Sequence, residues 1–265
     1  MKKFISLLSV FLFISLSSCE IKLEKYMSYL NEDKYEILGE DGFTFTDKIE
    51  NINLDWVKGT IKIVKRSEDG FFIDETIKGE QKEDYITRYW LDGTTLNIKY
   101  CKSNTSMPTS VRKSITLYVN ENINLDEFEL NNVASNIEIN GIKSDSIEIN
   151  NVSGNVEITK AETKEIEYNG VSGNFTCMLT QLTSEVEINQ VSGNSIVSLP
   201  STTAGFKVSF NSVSGKIDYE DFPNAAKYTN DVVYLDGKYL IVNANTTSGN
   251  ISISKYNSEE PVIER

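Results

Sequence analysis

A four-residue motif that recurs six times constrains the fold of this 265-residue chain more than any other feature. The copies begin at residues 133, 152, 171, 191, 213 and 247, so the spacings are 19, 19, 20, 22 and 34 residues. One complete copy is Val152-Ser153-Gly154-Asn155, and it lies between the runs Ile147-Glu148-Ile149 and Val156-Glu157-Ile158. Alternation of apolar and polar residues is typical of β-strands. Such short strands cannot bury an apolar side alone, so the units are predicted to stack on one another.

The spacing indicates the kind of stack. A period near 20 residues without helical periodicity leaves too little chain for a propeller blade, but it fits one turn of a β-solenoid. We therefore predict an all-β fold, a single-stranded parallel β-helix with turns of about 19–22 residues. The motif valines are predicted to stack inside the turn: Val152, Val171, Val191 and Val213. The motif asparagines are predicted to form a ladder of side-chain amides: Asn155, Asn174 and Asn194.

The remaining boundaries follow from turn residues and composition. Residues 43–118 are predicted to be N-terminal strands or a cap, with a hairpin that turns at Asp92-Gly93. Residues 119–257 are predicted to hold the regular repeats, and residues 258–265 a C-terminal tail. The longest repeat interval is predicted to contain a hairpin insertion near residues 224–240, in which Val232–Leu235 pairs with Tyr239–Val242.

The first residues have the pattern of an export signal. Lys2 and Lys3 precede a 13-residue apolar stretch, which is too short to cross a bilayer but fits a signal peptide over residues 1–18. The stretch ends in Leu16-Ser17-Ser18-Cys19, which resembles a bacterial lipobox and predicts that Cys19 is lipidated. The alternative is an ordinary secretory signal that happens to contain a cysteine. Residues 19–42 are predicted to form the lipidated cysteine and a tether, so the expected location is the cell envelope, anchored to a membrane by lipid.

Composition excludes several classes of function. The chain contains no histidine, which excludes Ser-His-Asp catalysis and histidine-ligated zinc. Its formal net charge is −13, and removal of residues 1–18 makes it −15, so we expect no nucleic-acid partner. Two cysteines remain after processing, Cys101 and Cys177. They are expected to be buried thiols or to form a disulfide, because no base is present to make either one catalytic.

The repeated Val-Ser-Gly-Asn turns, and above all Thr246-Thr247-Ser248-Gly249-Asn250 near the end, carry a resemblance to a known family. They resemble the bacterial β-strand-repeat domain known as a putative adhesin of unknown function, which is related to the heads of autotransporter adhesins. The resemblance covers residues 43–255 and implies a right-handed parallel β-helix-like fold on the cell envelope. It implies no catalytic residues.

Outward strand positions gather acidic residues. Alignment on the motif places seven glutamates in two neighbouring columns of one face: Glu127, Glu129, Glu148, Glu165, Glu167, Glu185 and Glu187. Stacked like charges destabilise a sheet unless a cation lies between them. We therefore predict that this face binds Ca²⁺, other divalent cations or cationic peptides. The alternative is a solvated acidic surface, because no dedicated calcium loop is present in the sequence.

These features together predict a non-enzymatic protein that acts in binding, adhesion or envelope sensing and requires no cofactor. Its expected partners are the membrane, through the lipid, and a cell-surface component or cationic peptide. Two alternatives stay open at this point. The chain could be a structural spacer of the envelope, or a polysaccharide-active β-helix enzyme that uses paired carboxylates.

Overall fold

The structure is a computed structural model, which describes residues 28–179, 183–200, 205–228, 230–234 and 239–256. The predicted signal peptide, Cys19 and the predicted tail at 258–265 lie outside the described residues. Within these ranges the regular structure is β-strand apart from two 3-10 helices, Glu32–Lys34 and Glu83–Tyr85. The prediction of an all-β fold is confirmed. None of the described segments forms a helix that is long and apolar enough to span a membrane.

The strands fall into three groups along the chain. The N-terminal strands are β1 (Glu36–Ile37), β2 (Phe43–Phe45), β3 (Asn51–Arg66), β4 (Phe71–Lys78), β5 (Arg88–Asp92), β6 (Thr95–Lys99) and β7 (Arg112–Asn120). The central strands are β8 (Leu125–Asn140), β9 (Lys143–Ser153), β10 (Val156–Thr159), β11 (Glu162–Gly170), β12 (Phe175–Met178), β13 (Glu185–Ser192) and β14 (Ser195–Pro200). The C-terminal strands are β15 (Gly205–Ser212), β16 (Ile217–Asp218), β17 (Ala226–Lys227), β18 (Asp231–Tyr234), β19 (Tyr239–Ser248) and β20 (Ile251–Tyr256).

Each repeat forms one layer of the stack, which we call a rung. A rung consists of a strand on a first face, a bend at the motif and a strand on a second face; β9 with β10 is one example and β11 with β12 is the next. Neighbouring rungs pair in parallel, so that Ile147 pairs with Ile166 on the first face and Val156 with Phe175 on the second. The alternating apolar residues of both faces are fully buried. The rings of Tyr168 and Phe175, from opposite faces of one rung, stack at 4.3 Å, so the core lies between the faces.

In a single-stranded parallel β-helix, which the sequence predicts, the rungs stack in the order of the sequence, but at both ends of this molecule they do not. On the first face the spatial order is β6, β3, β8, β9, β11, β13, β19, β15. On the second face it is β7, β3, β8, β10, β12, β14, β20, β16. The rung formed by β3 therefore lies between two later segments, and the last rung, β19 with β20, is inserted before the rung of β15 and β16.

The hairpin predicted between Val232–Leu235 and Tyr239–Val242 is also wrong. β15 separates these segments, because it pairs with β18 in antiparallel orientation on one side and with β19 in parallel on the other. A short antiparallel pair does exist in this insertion, between β17 and β18. The physical reason is the outer edge of β15. An unpaired edge strand is open to association, and a short antiparallel strand across it satisfies its backbone groups.

Residues 43–118 both extend the stack and cap its outer edge, so both predicted alternatives apply to this segment. β3, β6 and β7 extend the rungs in parallel register. β5 pairs with β6 and β4 pairs with β7 in antiparallel orientation, so they cover the outer edge. The hairpin predicted at Asp92-Gly93 is confirmed, with Gly93 at φ 61°.

The predicted tether is too long at its C-terminal side. β1 lies within residues 19–42 and pairs with β5, so that Glu36 faces Tyr89. Leu38 is buried in the core, and the ring of Tyr35 contacts that of Trp90 at 5.6 Å. The Tyr29 hydroxyl also donates to the Cys101 carbonyl oxygen at 3.2 Å. These contacts are the physical reason why the folded body begins near residue 29 rather than at residue 43.

A buried lysine holds the N-terminal cap together. Lys113 donates hydrogen bonds to the carbonyl oxygens of Tyr85, at 2.6 Å, and Tyr100, and it lies 3.0 Å from the carboxylate of Glu75. Its ammonium group also lies over the ring of Trp56. Burial lowers the pKa of Lys113 to about 8, and the Glu75 charge opposes that shift. Lys113 therefore connects the 3-10 helix Glu83–Tyr85 and the segment after β6 to β7.

The two described cysteines are free thiols, so they form no disulfide. Cys101 lies in the N-terminal cap and Cys177 lies in β12, and both side chains are buried. Burial raises the pKa of Cys101 to about 11 and that of Cys177 to about 12. Both residues therefore act as small core residues, which was one of the two expectations from the sequence.

Candidate acidic binding face

The structure places the seven predicted glutamates together on the first face. In one column Glu129 pairs with Glu148, Glu148 with Glu167, and Glu167 with Glu187. The column two residues earlier holds the other three glutamates: Glu127, Glu165 and Glu185. Neighbouring parallel strands lie about 4.8 Å apart, so the four stacked carboxylates follow one another at that spacing. We call the two columns the acidic face.

The acidic face has no internal counter-charge. Within the described ranges, none of the seven glutamates forms an ion pair, although ion pairs occur elsewhere on the surface. On the second face, for example, Glu138 lies 2.8 Å from Lys62. Burial raises the pKa of Glu148 above its usual value; the hydrogen bond from Asn150 opposes this, and the charges of Glu129 and Glu167 add to it. The environment of Glu148 is therefore unfavourable to its own charge.

A ladder of asparagines runs beside the glutamates, and the sequence analysis missed it. Asn150, Asn169 and Asn189 each donate one hydrogen bond to the Asn carbonyl oxygen of the preceding rung and one to the Glu of their own rung. Asn150, for example, donates to Asn131 at 3.0 Å and to Glu148 at 2.9 Å. At the ends of the ladder, Asn131 donates to Asp55 and Glu129, whereas Asn245 and Asn211 each donate to the neighbouring asparagine. The ladder consists of Asn131, Asn150, Asn169, Asn189, Asn245 and Asn211. The signal was visible, because an asparagine stands two residues before the motif in every copy.

The ladder fixes the glutamate side chains. One carboxylate oxygen of each stacked glutamate is held by its asparagine, at 3.0 Å for Glu129, 2.8 Å for Glu167 and 2.9 Å for Glu187. An amide donor stabilises a carboxylate but carries no net positive charge. The column is therefore ordered by hydrogen bonds while its four negative charges stay uncompensated.

The bend beside this face explains the motif residue by residue. The Ser153 hydroxyl donates to the carbonyl oxygen of Val133 on the preceding rung at 3.0 Å. Gly154 has φ 104°, and a Cβ there would lie 2.1 Å from the Ser135 carbonyl oxygen, so only glycine fits. The side-chain oxygen of each motif asparagine accepts a hydrogen bond from the backbone N–H of the asparagine on the next rung, as from Asn174 to Asn155 at 3.1 Å. The predicted stacking of the motif asparagines is confirmed, but Asn155, Asn174 and Asn194 are linked through backbone N–H donors and not amide to amide as predicted.

The predicted position of the motif valines is wrong. Val133, Val171 and Val191 are 38%, 36% and 49% exposed, and Val213 is 85% exposed, so they lie outside the bend. The preceding residue lies inside instead. There, Asn151 donates to the Gly154 carbonyl oxygen at 2.8 Å and Gln190 to the Ser192 carbonyl oxygen at 2.8 Å. The physical reason is that buried carbonyl oxygens of the bend require donors, which valine cannot supply.

The acidic face differs from a metal site. Among the described residues, no group of three or more acidic or cysteine side chains is arranged so that it could hold a metal ion. The glutamates form rows that run from rung to rung instead of converging on a point. Such rows favour a partner that carries several positive charges with a matching spacing.

Comparisons with known proteins agree with this architecture. A family model described as Toastrack DUF4097 matches residues 110–254. A solved structure named a putative cell adhesion protein, from Clostridium sporogenes ATCC 15579, has a TM-score of 0.51 and 16% identity, over 84% of this chain and 98% of that chain. This likeness shows a similar fold.

Two further solved structures are less similar. One is named a putative lipid binding protein, from Parabacteroides distasonis ATCC 8503, with a TM-score of 0.37 and 14% identity over 80% of this chain and 94% of that chain. The other is named a putative adhesin, from Bacteroides fragilis NCTC 9343, with a TM-score of 0.33 and 10% identity over 80% and 95%. The comparison with curated proteins finds no match.

Proposed function

The chain belongs to the Toastrack DUF4097 family, and we propose that it is a non-enzymatic binding module of the cell envelope. In this proposal the signal peptide is removed, Cys19 carries the lipid, and the stacked rungs form a right-handed parallel β-helix outside the membrane. The acidic face binds a basic partner, such as a cationic peptide or a basic segment of a surface protein. Adhesion and envelope sensing are the two contexts that such binding would serve.

The observation that carries this proposal is the set of seven glutamates without an ion pair within the described residues, four of which are held in register by the asparagine ladder. A surface built only for solubility does not need carboxylates held in register by a hydrogen-bonded ladder. Repulsion between neighbours at about 4.8 Å is of the order of 1 kcal/mol per pair in water, and it is relieved when a cation binds. The rows favour a polyvalent basic partner over a single coordinated Ca²⁺ ion.

The test of the acidic face uses the mature lipidated chain in detergent and a fluorescent 16-residue lysine peptide. We expect binding that weakens steeply with salt, and that is reduced at least tenfold when Glu148, Glu167 and Glu187 are changed to Gln. The matched control also removes three carboxylates, by changing Glu138 and Glu157 of the second face to Gln and Asp218 of the same face to Asn. If both variants bind alike, the acidic face is not the binding surface. A rise in melting temperature with millimolar Ca²⁺ alone would instead indicate a divalent cation.

The anchor is tested separately. Mass spectrometry of the chain purified from its own membranes should find an N-terminal diacylglyceryl cysteine at Cys19. The variant Cys19→Ala should leave the membrane fraction. An unmodified N-terminus at another residue would refute lipidation without affecting the acidic face.

A further inference from the structure

A row of exposed valines borders the acidic face. Val133, Val171, Val191 and Val213 all point outwards at the bend, and Val152 is half-buried in the same row. Parallel pairing of the rungs stacks these residues, and the sixth rung contributes Thr247. The row is apolar over the four rungs that carry the stacked glutamates, from Val133 to Val191, and Thr247 separates this part from Val213. Hydrophobic residues arranged in one continuous row are a feature of interaction surfaces rather than of scattered surface positions.

The valine row and the glutamates lie parallel to each other on one surface. In β8, for example, Glu129 and Val133 are four residues apart, which corresponds to about 13 Å along the strand. The asparagine ladder runs between the glutamates and the valines. Six rungs, from β8 to β15, span about 24 Å in the stacking direction. The surface thus has an acidic side and an apolar side, each of which runs across the strands.

These dimensions correspond to an α-helix. A helix with its side chains is about 10–12 Å wide, and about 16 residues of helix have a length of 24 Å. Its turns repeat every 5.4 Å, close to the rung spacing of about 4.8 Å, so successive turns meet successive rungs. An extended peptide would require free backbone groups for pairing, but the backbone of the central strands is already paired on both sides.

We infer that the partner of the acidic face is a cationic amphipathic α-helix that lies along the stacking direction. Its lysine or arginine side chains contact Glu129, Glu148, Glu167 and Glu187, and its aliphatic side chains contact the valine row. Because the acidic face is negative, the partner must carry positive charge. Because the valine row is apolar, the partner must also have an apolar side. This inference rests on the proposed function, because it specifies the kind of basic partner.

The experiment compares two 16-residue peptides on the mature lipidated chain. Both have the same composition of lysine, leucine and alanine. One groups its lysines and leucines on adjacent sides of a helix, and the other distributes them evenly. Binding is measured by fluorescence anisotropy at 50 and 150 mM NaCl. We expect the amphipathic peptide to bind at least fivefold more tightly and to gain helical circular dichroism when bound.

Variants locate the contact. Val171→Thr with Val191→Thr keeps the β-branched shape, and threonine already occupies this row at residue 247, so folding should be unaffected. We expect this pair to weaken the amphipathic peptide about fivefold and to leave the evenly distributed peptide unchanged. The matched control is Ile196→Thr, which removes an exposed isoleucine of the second face.

The outcomes separate this inference from the proposed function. If the Glu→Gln variants weaken binding but the valine variants do not, the basic partner stands and the amphipathic helix is refuted. If Ile196→Thr weakens binding as much as the valine variants, the contact lies elsewhere and the inference is again refuted. If neither set has an effect, both proposals fail.

Discussion

The stacked carboxylates make an unusual prediction, namely that removal of a surface charge stabilises the protein. We expect Glu148→Gln to raise the melting temperature of the chain. Glu148 has a charged neighbour on either side in its column, Glu129 and Glu167. Glutamine keeps an oxygen that accepts the hydrogen bond from Asn150, so the ladder stays intact.

The magnitude follows from the rung spacing. Two unit charges at about 4.8 Å repel by about 0.9 kcal/mol at the dielectric constant of water, so two neighbours contribute about 1.7 kcal/mol. Screening at 0.1 M ionic strength reduces this value, and the weaker neutral hydrogen bond reduces it further. A net gain of about 1 kcal/mol remains, which corresponds to about 2–4 °C for a domain of this size.

The assay is thermal unfolding at pH 7 in 0.05, 0.2 and 1 M NaCl. The gain of Glu148→Gln should shrink as salt increases, because the Debye length falls to about 3 Å at 1 M. It should also vanish on acidification. The pKa of Glu148 is raised in the folded chain, so its ionisation destabilises the fold as the pH rises through and above the ordinary value of 4.5. Below that value the wild-type side chain is neutral in both states, and the substitution removes no charge.

Glu138→Gln is the matched control, since it removes a carboxylate from the second face that is paired with Lys62. Its effect should stay within about 0.5 kcal/mol. The reasoning is refuted if Glu148→Gln lowers the melting temperature at low salt, or if its gain persists unchanged at 1 M NaCl. A lower melting temperature would mean that the ladder compensates the charges, and a gain that does not depend on salt would mean that charge repulsion is not its cause.

Three further substitutions test other parts of the fold. Gly173→Ala places a Cβ 2.2 Å from a carbonyl oxygen of the preceding rung, at φ 110°. Urea unfolding should therefore show that the free energy of unfolding falls by about 3 kcal/mol or more. Gly93→Ala is the control, because open space surrounds that position, and it should lower the free energy of unfolding by about 1 kcal/mol. Asn169→Ala removes two donated hydrogen bonds and one accepted bond from the ladder, so we expect thermal unfolding to show a loss of about 1–3 kcal/mol. Lys113→Met leaves a buried carboxylate unpaired and should cost about 3–5 kcal/mol. Because the pKa of Lys113 is lowered to about 8, the unfolded chain binds its proton more tightly, so the wild type but not the variant should gain stability between pH 8 and 10.

The repeat predicted most of the central architecture because periodicity records which residues face the core. Ile147 and Ile149 alternate with Glu148, and this pattern alone placed the isoleucines inside and the glutamate outside. The same register brought the seven glutamates together. Features that depend only on a period of two and a constant repeat spacing are therefore predictable from the sequence.

The sequence failed where polar groups, not apolar side chains, decide the position. Val152 was assigned to the interior because it is apolar, but the bend has carbonyl oxygens that point inwards, and Asn151 satisfies one of them. Apolar patterning contains no information about such backbone groups. The order of the rungs failed for a different reason: β19 and β15 have similar alternation, so the pattern cannot tell which of them lies next to β13.

The insertion of the last rung has a mechanical consequence. In a stack that follows sequence order, the C-terminal rung is the outermost one, and tension on the chain end peels it away layer by layer. Here β19 has a parallel partner on each side, β13 and β15, so extraction of the chain end must break both ladders together. Synthesis imposes the complementary constraint, because β15 cannot reach its final neighbour until the residues after it have been made. The last rung is therefore completed late in folding, and it resists extraction by tension on the chain end more than an outermost rung would.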